Sequence, residues 1–138
     1  MIGLLKDDVV HYEHLVSLAD IVGLHDCHLS SDGWHIGALV TLAELEHDAR
    51  LQGPYRMLAE VARGLATPEI RNQGTLGGNL CQRPRCFHYR SALIPCLKKG
   101  DTVCPAIESP HQQYLSVMGG TGCFCVHASD LAPVLIAM

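Results

Sequence analysis

Ile70-Arg71-Asn72-Gln73-Gly74-Thr75-Leu76-Gly77-Gly78-Asn79-Leu80 is the stretch on which the reading of this chain turns. Between Thr75 and Asn79 it sets a hydroxyl, a glycine pair and a carboxamide. Glycine takes positive φ without strain and lets another group approach the backbone with no Cβ in the way. Successive N–H groups in such a turn can converge into a cradle for an anion. Thr75 and Asn79 add side-chain donors. On its own a glycine pair is also an ordinary turn. A cysteine-rich, cationic segment begins directly afterwards at Cys81. Together the two features imply a redox protein, with a phosphate-bearing cofactor beside a metal centre.

The flanking sequence fills in an α+β domain. Residues 13–24 read as a short apolar strand between turns. Around Ser30-Ser31-Asp32-Gly33, residues 28–41 give a hairpin signal, and 35–40 alternate as a strand should. Thr41 reads as an N-cap, with Glu44 three positions on completing a capping box for a helix over 42–48. Leu58, Val61, Ala62 and Leu65 repeat at helical spacing within Tyr55–Leu65. Pro68 is expected to end or interrupt that helix. From 70 to 125 the glycines, prolines and cysteines predict a loop-rich region with one strand at 122–126. Ser129-Asp130 then opens a helix over 131–138. Here Ser129 reads as an N-cap and Asp130 as an acidic residue favoured by the helix dipole.

The bulk composition bounds the class. A chain of 138 residues can bury a core, and 48% hydrophobic with 17% charged residues is the balance of a folded domain. A formal charge of −4 offers no general attraction to nucleic acid. No apolar run approaches the roughly 20 residues of a membrane-spanning helix. The opening Met1-Ile2-Gly3-Leu4-Leu5-Lys6-Asp7-Asp8 lacks the pattern of a secretion signal, so a cytoplasmic location is expected.

Clustered thiols without a secretion signal point to metal rather than to disulfides. Cys81, Cys86, Cys96, Cys104, Cys123 and Cys125 all lie between 81 and 125, and Cys27 stands apart as a small hydrophobe. The series Cys86-x9-Cys96-x7-Cys104-x18-Cys123 has neither the close pairs of a zinc site nor a ferredoxin run. Spacing therefore allows a metal without naming one. Over residues 81–104, Arg83, Arg85, Arg90, Lys98 and Lys99 sit among the cysteines against the single acid Asp101. Cations favour thiolate and offset the charge of a thiolate cluster; a solvated basic loop facing a partner is the alternative. Period-2 alternation puts Cys125 on the same strand face as Cys123, as a competitor for ligation. His111 and His127 flank the proposed site, but no histidine is assigned as a ligand, and no residue as a general acid or base.

The eleven residues from Ile70 to Leu80 closely resemble the flavin-binding signature of the molybdenum hydroxylase family, whose FAD subunits or domains occur in xanthine dehydrogenase, carbon monoxide dehydrogenase and aldehyde oxidoreductases. Tyr55–Leu65 and Ala128-Ser129-Asp130-Leu131-Ala132-Pro133 fit the same resemblance. It implies FAD contacts from Thr75, Leu76, Gly77, Gly78, Asn79 and Asp130. Cys81-Gln82-Arg83-Pro84-Arg85-Cys86-Phe87-His88-Tyr89-Arg90 looks like the start of an insertion that carries a [4Fe–4S] cluster in a subset of these subunits. This implies Cys86, Cys96, Cys104 and Cys123 as ligands, with Cys81 and Cys125 in reserve.

The resemblance further implies the central part of a two-subdomain FAD-binding domain of the PCMH type, with a mixed sheet, flanking helices and a cysteine insertion over 81–125. Met1 to Lys6 is similar to the segment just after an upstream glycine-rich loop of the family. Residues 1–138 are therefore expected to form a single partial domain, truncated at both ends. Its implied role is to pass electrons from iron–sulfur centres to FAD and an external acceptor, alongside a molybdenum-cofactor subunit and a [2Fe–2S] subunit. Two rival readings are a cofactor-free remnant and a zinc-binding structural module.

Overall fold

The computed structural model describes residues 2–108 and 115–138; His111 lies outside the described residues. The chain divides into two compact units. One is made of Met1–Leu15 with Gln82–Ala128, the other of Val16–Cys81 with Ser129–Met138.

The second unit opens with turns. Ile21, Leu24 and Asp26 donate backbone N–H bonds to Leu18, Ile21 and Gly23, each three residues back. The strand expected over 13–24 does not form among these residues: no neighbouring strand pairs with them, and Leu15, Val16, Leu18, Ile21 and Val22 are exposed. Strands β1 (Cys27–Ser30) and β2 (Gly33–Ile36) come next as an antiparallel hairpin, Ser30 opposite Gly33 and Cys27 opposite Ile36. Gly33 takes the positive φ (134°) that the tight turn needs. Trp34 holds the hairpin down, meeting Tyr55 edge-on at 6.1 Å while the Arg50 guanidinium lies 5.4 Å over its ring. The alternating strand expected through 35–40 stops at Ile36, because Gly37 is pressed against the turn before it. A Cβ on Gly37 would stand 2.2 Å from the Leu24 carbonyl oxygen.

Helix α2 (Leu42–His47) begins with the expected capping box. The Thr41 hydroxyl accepts the Glu44 N–H, and the Glu44 carboxylate accepts the Thr41 N–H at 2.7 Å. A 3-10 turn, Gly53–Tyr55, leads into α3 (Arg56–Gly64), which buries Leu58 and Ala62 completely. Pro68 does not merely end that helix. It starts a new one, α4 (Pro68–Gln73), from its first turn, where a missing N–H costs nothing. The glycine segment is likewise helical: α5 spans Leu76–Leu80. Helix α7 (Leu131–Ala137) closes the chain and packs on α3 and α5. Val40, Leu42, Leu45, Leu51, Leu58, Ala62, Leu76, Leu131 and Val134 form one continuous core.

The first unit contains α1 (Ile2–Lys6), α6 (Phe87–Arg90) and two 3-10 turns at Leu97–Lys99 and Pro105–Glu108. Its small core joins Leu4, Val9, Tyr89 and Cys96. Over 122–126 the expected strand is reduced to an isolated bridge between Leu115 and Cys125. The fold among the described residues is thus α+β with one two-stranded antiparallel sheet, where the sequence suggested a mixed sheet. No helix among them is long and apolar enough to cross a membrane.

Candidate cofactor and metal-binding sites

Residues Thr75–Asn79 start α5 against a layer formed by Ala38 to Thr41. Thr41 and Thr75 make an antiparallel bridge, and the Leu42 N–H donates to Gly74 O at 2.8 Å. The Leu76 N–H donates to Val40 O (2.8 Å) and the Gly77 N–H to Ala38 O (2.9 Å). The Gly78 N–H donates to the Thr75 hydroxyl at 3.0 Å, and the Asn79 N–H to Thr75 O at 2.9 Å. All four amides at the start of the helix are therefore engaged inside the protein. The positive-φ anion cradle expected from the sequence is absent here: neither Gly77 nor Gly78 has positive φ, and their N–H groups are already bonded.

The two glycines do different things. A Cβ on Gly77 would lie 2.8 Å from the Ala38 Cβ and 2.8 Å from the Ala38 oxygen, so Gly77 is what lets α5 close onto that layer. Gly78 is exposed, and a Cβ there would meet only the Thr75 hydroxyl at 3.0 Å. Gly78 thus leaves an open face beside Thr75.

Asn79 ties this face to the start of α7. Its Oδ1 accepts the Ser129 hydroxyl at 2.6 Å and lies 3.5 Å from the Leu131 N–H. Ser129 also caps α7, accepting the Ala132 N–H at 3.0 Å. Asp130, between these contacts, is exposed. Thr75, Gly77, Gly78, Asn79 and Asp130 therefore belong to one junction, although about fifty residues separate Asn79 from the turn it holds. Leu76 is buried as a core residue and offers only its backbone. For a flavin, the fit lies in side chains: Asn79 Nδ2, the Thr75 hydroxyl and the open face at Gly78.

In the first unit, one small apolar pocket is lined by Cys86, Cys96, Cys104, Cys123 and Cys125, with Tyr89, Lys98 and Ala106. All four cysteines singled out as ligands thus share one wall, and so does the competitor Cys125. Cys81 ends α5 in the other unit and is exposed. The Cys123 and Cys125 sulfurs are 3.5 Å apart. Burial pushes the Cys125 thiol up to about 11, with the Cys123 contact and charge and the Cys86 charge acting the same way, while Lys98 pulls it down. Metal binding here has to displace a proton. The pocket encloses about 10 Å³, on the order of one water, so a metal group enters only by parting the thiols. Among the described residues, no three His, Cys, Asp or Glu side chains already converge on a single ion position. Soft thiol donors of this kind suit zinc and iron–sulfur clusters alike.

Arg71, inside the opening stretch, has a role that sequence spacing does not disclose. Its guanidinium bonds Glu46 at 2.7 Å and the Leu65 and Ala66 carbonyls at 3.0 and 3.2 Å, with both charged side chains nearly covered. It thereby clamps α4 to α2 and to the end of α3, where Ala66 takes a positive φ of 47°. An open cleft of about 400 Å³ lies between α2 and α3. Its charges are mostly paired, Arg56 with Glu60 and Arg63 with Glu46, which makes it a solvated groove.

Donor side chains gathered at one hydrogen-bonded junction are the make of a binding domain. All of the chain, residues 1–138, matches the FAD binding domain in molybdopterin dehydrogenase, and the protein belongs to that family. It is 31% identical over 134 residues to the aldehyde oxidoreductase FAD-binding subunit PaoB of Escherichia coli strain K12, covering 96% of this chain and 42% of that protein. It is 35% identical over 71 residues to the xanthine dehydrogenase FAD-binding subunit of Escherichia coli O157:H7, covering 51% of this chain and 24% of the relative. The nicotinate dehydrogenase FAD-subunit of Eubacterium barkeri is 44% identical over 46 residues, 33% of this chain and 16% of that one. The chain thus spans less than half the length of each of these relatives.

Proposed function

We propose that this chain is the flavin-binding part of the FAD subunit of a molybdenum hydroxylase, and that its cysteine pocket holds a [4Fe–4S] cluster. The observation that carries the flavin reading is the Asn79 carboxamide. It joins the Thr75–Asn79 segment to the Ser129-Asp130-Leu131 turn, so two segments distant in sequence present their polar groups from one place. Bound there, FAD would accept electrons and hand them on, chemistry that belongs to the cofactor. The protein's own residues bind and orient. Asn79 Nδ2 and the Thr75 hydroxyl donate to acceptor oxygens of the ribityl–diphosphate chain, and Gly78 leaves room for its approach. Asp130 sets a negative charge at the edge of the same junction, suited to ribose or ribityl hydroxyls.

Cys86, Cys96, Cys104 and Cys123 would supply the cluster's four thiolates, with Lys98 offsetting their charge. A molybdenum-cofactor subunit and a [2Fe–2S] subunit would deliver the electrons, in the cytoplasm. A zinc site is the second reading, and one distance favours it. With Zn–S near 2.3 Å, a tetrahedral site separates its sulfurs by about 3.8 Å, close to the 3.5 Å between Cys123 and Cys125.

Anaerobic reconstitution with ferrous iron, sulfide and FAD separates the readings. Flavin absorbance near 450 nm, with a broad shoulder near 400 nm that bleaches with dithionite, is the expected result. Zinc retained without iron or acid-labile sulfide supports the structural module. A colourless, metal-free, folded protein supports the remnant and overturns the proposal.

A further inference from the structure

We propose that Ser129 is a positioning residue for the flavin: with the Leu131 N–H, its hydroxyl holds the Asn79 carboxamide with the oxygen toward α7 and the NH2 toward the cofactor. This rests on the flavin reading above and goes beyond it, since Ser129 reads from sequence as nothing more than a helix cap. Ser129 is only 6% exposed. Its oxygen accepts the Ala132 N–H at 3.0 Å, and its proton is given to Asn79 Oδ1 at 2.6 Å. The Leu131 N–H faces the same Oδ1 from 3.5 Å.

The Leu131 N–H, which can only donate, decides the orientation of the amide, and the Ser129 hydroxyl donates to the oxygen so placed and holds it there. Turned over, Asn79 would set its own NH2 against the Leu131 N–H, donor against donor. The oxygen therefore belongs on the α7 side, and the two Nδ2 protons point away from α7. This matters because the first four amides of α5 are already engaged. Asn79 Nδ2 and the Thr75 hydroxyl are what the glycine segment has left to donate, and an amide facing the wrong way would present an acceptor to an acceptor-rich ligand.

The test is calorimetric titration of the full chain with FAD, with the thermal midpoint of the flavin-free protein measured alongside. Ser129→Ala is expected to weaken FAD binding roughly tenfold, about what one orienting hydrogen bond contributes. Ser129→Thr should restore it to within about threefold, while Ser129→Val, of the same shape as threonine but without the hydroxyl, should not. Asn79→Asp can still accept both α7 hydrogen bonds, so its midpoint should stay near that of the wild type while its FAD affinity falls. Adding Ser129→Ala to Asn79→Asp should then cause no further loss of affinity.

Wild-type affinity in Ser129→Ala, equal affinities in the Thr and Val variants, or a full additive loss in the double variant would each overturn the inference. A folded wild-type chain that takes up no FAD would instead bring down the flavin reading beneath it. Should Ser129→Ala fail to fold, the comparison of Ser129→Thr with Ser129→Val still decides, because only an orienting hydroxyl leaves the first near wild-type affinity and the second weak.

Discussion

Replacing Gly77 and Gly78 one at a time with alanine separates two explanations of the diglycine. At Gly77 the new Cβ would stand 2.8 Å from both the Ala38 Cβ and the Ala38 carbonyl oxygen, and the latter accepts the Gly77 N–H. No flexible side chain can move aside, so either α5 or the Ala38 layer must shift. Overpacking of this kind costs typically 1–3 kcal/mol, against about 1 kcal/mol gained from alanine's helix propensity. We expect Gly77→Ala to destabilise by about 1–2 kcal/mol, which for a domain of this size lowers the thermal midpoint by roughly 3–8 °C. At Gly78 the Cβ meets only the Thr75 hydroxyl, at 3.0 Å, on an exposed face. Gly78→Ala should be neutral or stabilise by up to about 1 kcal/mol, while reducing FAD affinity by filling the face left open for the cofactor. Urea denaturation by circular dichroism, read beside flavin titration, measures both quantities. Equal stability losses at the two positions, or a Gly77→Ala protein as stable as wild type, would refute the packing argument.

The same geometry has other consequences. Arg71→Ala leaves the nearly covered Glu46 without its 2.7 Å partner and two carbonyls without a donor, and should cost about 3 kcal/mol in denaturant unfolding. The Thr41 N–H and hydroxyl hold the Glu44 carboxyl below its usual range. Its contribution is therefore complete above the unfolded value near 4.5 and fades as pH falls through the lower folded value. Glu44→Ala should lose about 1 kcal/mol at pH 7, with the difference from wild type shrinking as a stability titration descends from about pH 5 to pH 3. Cys96→Ser and Cys104→Ser should abolish iron and sulfide uptake in reconstitution assays, while Cys81→Ser, absent from the lining of the thiol pocket, should retain both.

Local signals were the legible ones. The Thr41–Glu44 capping box, the turn at Ser30–Gly33 and the apolar period of α3 each act within a few residues, and each appears where the sequence puts it. What the sequence did not disclose depends on partners far along the chain. The reason Gly77 is glycine is Ala38, and the reason Arg71 is arginine is Glu46, twenty-five residues away. Pro68 was ambiguous because proline both ends one helix and suits the first turn of the next. Residues 13–24 have the composition of a strand but, among the described residues, no strand to pair with, and composition cannot supply one. At the candidate site, the resemblance selected the residues, while their arrangement departs from the anion cradle those glycines suggested: the amides are spent on packing and the donors are side chains.

Where the flavin sits is best tested by assigned amide NMR spectra of the full chain titrated with FAD. The account predicts saturable shifts at Thr75, Gly78, Asn79, Asp130 and Leu131, with the α2–α3 cleft from Glu46 to Arg63 unmoved. Shifts confined to that cleft, or none at stoichiometric FAD, would contradict it.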